Sequence, residues 1–261
     1  MEIGNIVAAA ARVDGENVLV EARSDRALQA ALDMVRPLNW HGTGAGQDLL
    51  AAAQEEGLPL AWVPPAAVIR RLRSAGSAQA RETVIVSSRS EIIDACLKML
   101  DECTAPELAE CSELVRRSVK AVRDGHHEAG MALAVSVVES QADWAIKPRV
   151  RAFDDKVDRD RWDEFWKKKR IGRARQVDMV KTLADQVEPW EFVHQVLIAP
   201  IPTFFVNFTA GDEVPASANR HVVAHQPSLA HMNPANALKS IMLATGIVRS
   251  QQEWLLELGG E

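Results

Sequence analysis

Tyrosine is absent from this chain and cysteine is scarce. Large aromatic bulk therefore falls mainly to seven tryptophans, most of which are expected in the core. The three cysteines, Cys96, Cys103 and Cys111, are odd in number and lack the paired spacing of a zinc site. Reduced thiols and a cytoplasmic setting are the expectation. A basic leader is missing: MEIGNIVAAAARVDGE carries an acidic residue at its second position, so no secretory signal is expected. Long apolar runs are missing too. The most apolar later stretch, residues 192–208, contains His194, Gln195, Pro200, Pro202 and Asn207 and is short for a membrane span. It reads as buried core, and no membrane partner is expected. The glycine run at 42–46 has neither a strand before it nor Lys-Ser or Lys-Thr after it, which excludes a phosphate-binding P-loop and a dinucleotide fingerprint. It reads as a connector, and no cofactor is expected. No internal repeat at a fixed period is evident.

Excess positive charge is lacking overall but not locally. The chain carries a net charge of −6, which argues against a protein that is basic all over. Residues 145–176 nevertheless hold twelve Lys and Arg against six Asp and Glu, leaving −12 for the remainder. A basic island on an acidic protein suggests one surface for polyanions, with Lys167, Lys168, Lys169, Arg170, Arg173 and Arg175 as the candidate RNA contacts. Trp162 and Trp166 stand one helical turn apart beside that cluster. They suit either base stacking or docking of an amphipathic helix on the core. A solvated helix with paired charges is the alternative for the whole stretch.

What is present in quantity is helical periodicity. Apolar residues recur at three- and four-residue spacing over 25–35, 47–56 and 91–103, the last with Ser90 as the candidate N-cap. Pro64-Pro65 opens another such segment. Strand signals are confined to residues 17–20 and 83–86. Beyond Thr104-Ala105-Pro106 the pattern predicts helices over 106–123 and 126–146, more polar helices over 160–169 and 176–187, an apolar segment over 189–208 bent at Pro200 and Pro202, and a last apolar helix over 235–258. About four core helices joined by mostly short loops predict an all-α protein built as a helical bundle.

Between the last two core segments the chain reads Asn219-Arg220-His221-Val222-Val223-Ala224-His225. The guanidinium of Arg220 is a fixed positive fork that fits phosphate oxygens. The imidazoles of His221 and His225 move protons near neutral pH. On a helix the two histidines share a face, while Arg220 and His225 lie about 140° apart. His221 and His225 also have zinc-ligand spacing, with His231 as a possible third ligand. However, the motif has Val where a metalloprotease has its general-base Glu, so no metal is expected. In a purely structural reading the arginine caps a helix and the histidines satisfy backbone groups.

A helical bundle with Arg-x4-His between its third and fourth helices resembles the HEPN superfamily, which includes metal-independent RNases of toxin–antitoxin, abortive-infection and CRISPR systems. Arg220, His221 and His225, the loop after them and NPANALKSIMLATGIV carry the resemblance, as does AVRDGHHEAGMALAVSVVES upstream. The resemblance spans residues 105–261, with a charged helical insertion around 151–187. Residues 1–104 form an N-terminal helical region to which it assigns no role. One departure is Gln226-Pro227 after the last histidine, where many relatives have glycine. The resemblance implies an RNA substrate, a homodimer that brings two motifs together, and an antitoxin or other regulatory protein. It implies that Arg220 binds the scissile phosphate, that His225 transfers protons, that His221 assists, and that Glu139 on an earlier helix pairs with the arginine. Asn219, directly before the arginine, is a supporting residue. If the basic island binds RNA, affinity is expected to fall linearly with salt on logarithmic axes. A filter-binding titration across salt checks this, and salt-independent affinity would count against the island.

Overall fold

A computed structural model of the chain describes residues 36–146, 192–209 and 211–259. The helices expected over 25–35, 160–169 and 176–187, the strand candidate at 17–20, the basic island from residue 147 onward and the Trp162–Trp166 pair lie outside the described residues. Those residues form an all-α helical bundle, with no strand among them. In chain order, the helices are α1 (Gln47–Glu56), α2 (Ala66–Ser74), α3 (Ala78–Ser87), α4 (Arg89–Asp101), α5 (Ala109–Arg123), α6 (His127–Ile146), α7 (Phe192–Ile198), α8 (Ile201–Phe204), α9 (Arg220–His225) and α10 (Pro234–Gly259).

Local chemistry explains most of the boundaries. Helix α1 ends at Gly57, whose φ of 63° is the left-handed conformation that suits a C-terminal glycine. Helix α3 starts at Ser77, whose side chain accepts from the Ala80 amide. It covers residues 83–86, which the sequence marked as a strand candidate, and this is a correction. Ile85 on that helix is fully buried, so docking on the bundle overrides the weak β preference of Thr, Val and Ile. Helix α4 also begins earlier than expected. Its N-cap is Ser88 rather than Ser90, and the Ser88 hydroxyl serves the preceding helix by donating to Val84 O at 2.5 Å. The apolar segment 192–208 divides into α7 and α8 at Ala199-Pro200, because proline has no amide to continue the ladder.

Helices α5 and α6 form a hairpin through Asp124-Gly125-His126, with Gly125 at φ 92°. Gly130 lets them touch. A β-carbon there would stand 2.5 Å from Val122 Cγ2 and 2.9 Å from Ser118 O. The Ser118 hydroxyl donates to Gly130 O at 2.6 Å across the same contact. Helix α10 lies against α3, α4, α5, α6 and α7. One continuous hydrophobic core holds Trp40, Leu72, Ile92, Val119, Met131, Ile198 and Ile241, so it runs from before residue 104 to α10 without a break. The connection at that point is itself fastened, because Gln252 Oε1 accepts from the amides of Thr104 and Ala105, both at 2.9 Å. Trp62 adds a second tie through Nε1, which donates to Ser250 Oγ at 2.8 Å. Cys96, Cys103 and Cys111 are free thiols. Burial pushes Cys96 up to about 12 and the other two up to about 11, so none is a thiolate near neutral pH.

The hairpin contact yields a stability test. Gly130→Ala is expected to destabilise the fold by about 1–3 kcal/mol, because the new methyl meets the α5 backbone as well as a valine. Chemical denaturation checks this, and an unchanged midpoint would refute the close approach.

Candidate functional site

Helix α9 is only six residues long and does not stand by itself. Its support begins at Asn219, which is fully buried with an extended backbone, φ −138°. Asn219 Oδ1 accepts from the amides of His221 at 2.9 Å and Val222 at 3.1 Å, satisfying donors that a helix start leaves open. Asn219 Nδ2 donates to Val206 O at 2.8 Å and Thr203 O at 3.3 Å, tying the cap to the end of α8. The Asn219 backbone N–H donates to Nε2 of His231 at 3.2 Å, and His231 Nδ1 lies 3.2 Å from Pro215 O. One side chain and its amide thus join α8, α9 and the loop before α10.

The cap fixes the backbone that carries the candidate side chains. Arg220 Nε lies 3.1 Å from Glu139 Oε2 on α6. Both atoms are shielded from solvent, yet they lack the alignment of a hydrogen bond. The arginine and glutamate side chains are 26% and 38% exposed. An ion pair with that exposure contributes about 0–1 kcal/mol, so an incoming phosphate can compete for the guanidinium. The Arg220 guanidinium carbon also sits 6.0 Å from the centre of the Phe205 ring. His221 and His225 lie one turn apart with ring centres 5.9 Å from each other. His225 is exposed and His221 partly buried. Burial holds the His221 pKa below its ordinary 6.5, and the charges of Arg220 and His225 act in the same direction while Glu139 opposes them. A partly exposed imidazole that is neutral at pH 7 is a competent proton acceptor.

No protein-family model, curated protein or solved structure matches the chain. The site therefore rests on its own geometry. The structure brings Arg220, His221, His225, Asn219 and Glu139 into one neighbourhood, on α9, its cap and α6. Lys167, Lys168, Lys169, Arg170, Arg173 and Arg175 lie outside the described residues. The zinc alternative with His231 as third ligand is corrected. His231 is buried, both of its ring nitrogens face backbone groups, and no cluster of three His, Cys, Asp or Glu with ligand geometry occurs among the described residues. Sequence reasoning missed Phe205 and the cap-holding role of His231. Their partners lie far enough along the chain that periodicity carries no signal for them.

The cap gives the test for this region. Asn219→Ala removes four hydrogen bonds made by a buried amide side chain and is expected to cost about 2–3 kcal/mol. Urea unfolding measures the loss, and a change within about 0.5 kcal/mol would show that α9 does not depend on this cap.

Proposed function

We propose that the chain is a metal-independent endoribonuclease with Arg220, His221 and His225 as its reacting groups. The observation that carries the reading is an arginine and two imidazoles gathered on one capped helix, with the arginine held by Glu139 rather than buried away from solvent. The RNA 2′-oxygen attacks phosphorus and the bond to the 5′-oxygen breaks, leaving a 2′,3′-cyclic phosphate and a free 5′-hydroxyl. Neutral His221 accepts the 2′-hydroxyl proton, and His225 delivers a proton to the departing 5′-oxygen. Arg220 stabilises charge on the non-bridging oxygens as it builds. Neither a metal nor a protein nucleophile takes part in these steps. By the resemblance to HEPN ribonucleases, the enzyme works as a homodimer that brings two motifs together. Its role lies in phage defence or growth arrest, with an antitoxin or other regulatory protein as partner.

A second reading has its own observation. Arg220 already has Glu139 and the Phe205 ring as neighbours, which suits a latch holding α9 on α6 in a non-catalytic module that binds RNA or a protein. Incubation with RNA in EDTA separates the two. The enzyme is expected to leave 2′,3′-cyclic ends, with cleavage falling at least about a hundredfold in Arg220→Ala and in His225→Ala. Folded variants that cut as fast as the parent would sink the enzyme reading, and binding without cleavage would favour the module. The pH profile adds a further expectation. Because His221 is held below 6.5, cleavage should rise with pH through a midpoint below that value. Glu139→Gln removes the one influence that raises this pKa, so it should move the midpoint lower still; a shift to higher pH would exclude His221 as the acceptor.

A further inference from the structure

His231 does not belong to the reacting face, yet both of its ring nitrogens are committed. Nε2 lies 3.2 Å from the Asn219 amide, which can only donate, so Nε2 accepts. Nδ1 lies 3.2 Å from Pro215 O, which can only accept, so Nδ1 carries the proton. The ring is thus neutral, in one tautomer, and 2% exposed. Its own backbone is held as firmly. The His231 carbonyl accepts from Asn236 Nδ2 on α10 at 2.9 Å, and its amide is within reach of Ser228 Oγ at 3.3 Å. Asn236 is buried in turn, and its carbonyl accepts from Ser240 Oγ at 2.8 Å. A chain of uncharged polar contacts therefore leads from the rigid α10 through His231 to the residue that caps α9.

We infer that His231 is a positioning residue and that the helix bearing Arg220, His221 and His225 is assembled only while its imidazole is neutral. Protonation places a second N–H on Nε2, opposite the Asn219 N–H. Two donors then face each other in a dry site and neither finds an acceptor. The Asn219 amide is released, and with it the Oδ1 atom that holds the first turn of α9. Protonation of His231 thereby loosens the site through the backbone of α9, separately from any protonation of His221 itself.

The ionisable side chains on the segments packed against His231 are Asp212 and Glu213 before Pro215, Arg220, His221 and His225 on α9, and Lys239 on α10. None of them contributes to its perturbation, which is dominated by burial and lowers its pKa from 6.5, while the backbone contacts at Pro215 and Asn219 oppose the shift. The folded pKa is below the unfolded one. The stability contributed by the neutral ring is therefore complete above 6.5 and is lost as pH falls from there towards the folded value.

The inference rests on the proposed reaction for its consequence but not for its test. The measurement is amide hydrogen exchange in the intact chain, expressed as protection factors, at about pH 7.5 and about pH 5. The informative amides are those of His221 and Val222, which Asn219 Oδ1 holds, with the amides of buried Ile241 and Met242 as the internal standard. In the parent, protection at His221 and Val222 is expected to drop about tenfold or more on acidification while α10 keeps its protection. His231→Gln supplies an acceptor and a donor that do not titrate, and it should hold both amides at both pH values. His231→Leu should lose them at both. Absence of an acid effect in the parent, or an equal one in His231→Gln, would overturn the inference, since the latter would assign it to His221 or His225. Unprotected amides in His231→Gln at neutral pH would also overturn it. If the parent cleaves no RNA under any condition while exchange behaves as described, the nuclease reading falls and the positioning role stands.

Discussion

Helix α10 has no solvent face over most of its length. Every residue from 235 to 249 is buried, so the helix needs neighbours on all sides. That one demand organises the bundle. Helices α3 to α7 surround it, and its apolar residues Leu238, Ile241, Met242, Ile247 and Val248 are at the centre of the core. Each such side chain contributes about 1.5–3 kcal/mol on burial, far more than any single ion pair on the surface. Several of the polar residues carried inside have partners. Ser240 donates to Asn236 O, Lys239 Nζ lies 3.5 Å from Glu56 O, and Arg249 has Glu102 at 3.4 Å with the Trp62 ring at 5.0 Å. Burial lowers the pKa of Lys239, while Glu82 and Glu56 oppose that shift.

The candidate site is a dependant of that scaffold. Helix α9 has one buried residue, Val222, and too few turns to be stable alone. It persists because Asn219 caps it, because His231 holds Asn219, and because Asn236 on α10 holds the His231 carbonyl. The candidate site's side chains are consequently displayed by a short element whose order is borrowed from a long one. Such an arrangement keeps Arg220 and the histidines accessible while fixing the backbone beneath them. It also concentrates the cost of failure in a few uncharged hydrogen bonds, where a single proton or a single truncation has leverage.

Much of this was legible in local pattern. Residues 47–56 form a helix over the expected range, and residues 126–146 and 235–258 do so within a residue or so, because their apolar spacing and flanking Gly and Pro act over a few positions. The misreading at Thr83 to Val86 has the opposite cause. Four β-branched residues in a row mimic a strand, and only the contact of Ile85 with the core makes them helical. The shared face of His221 and His225 follows from i, i+4 spacing alone. The pairing of Arg220 with Glu139 does not; the family resemblance named it, and the structure sets the two side chains together across eighty-odd positions of chain.

By itself, then, the sequence determined an all-α chain, the main helices, and an arginine with two histidines within six residues. Only the tertiary structure decided what holds that helix, and it decided that residues on both sides of 104 share one core. The physical reason is range. Helical period and end signals are properties of neighbouring residues, separated by three or four positions. The contacts that settle the site and the core join residues 12 apart, as Asn219 and His231 are, or 188 apart, as Trp62 and Ser250 are. Those contacts exist only once packing has brought distant segments together, and nothing in either segment's own spacing announces the other.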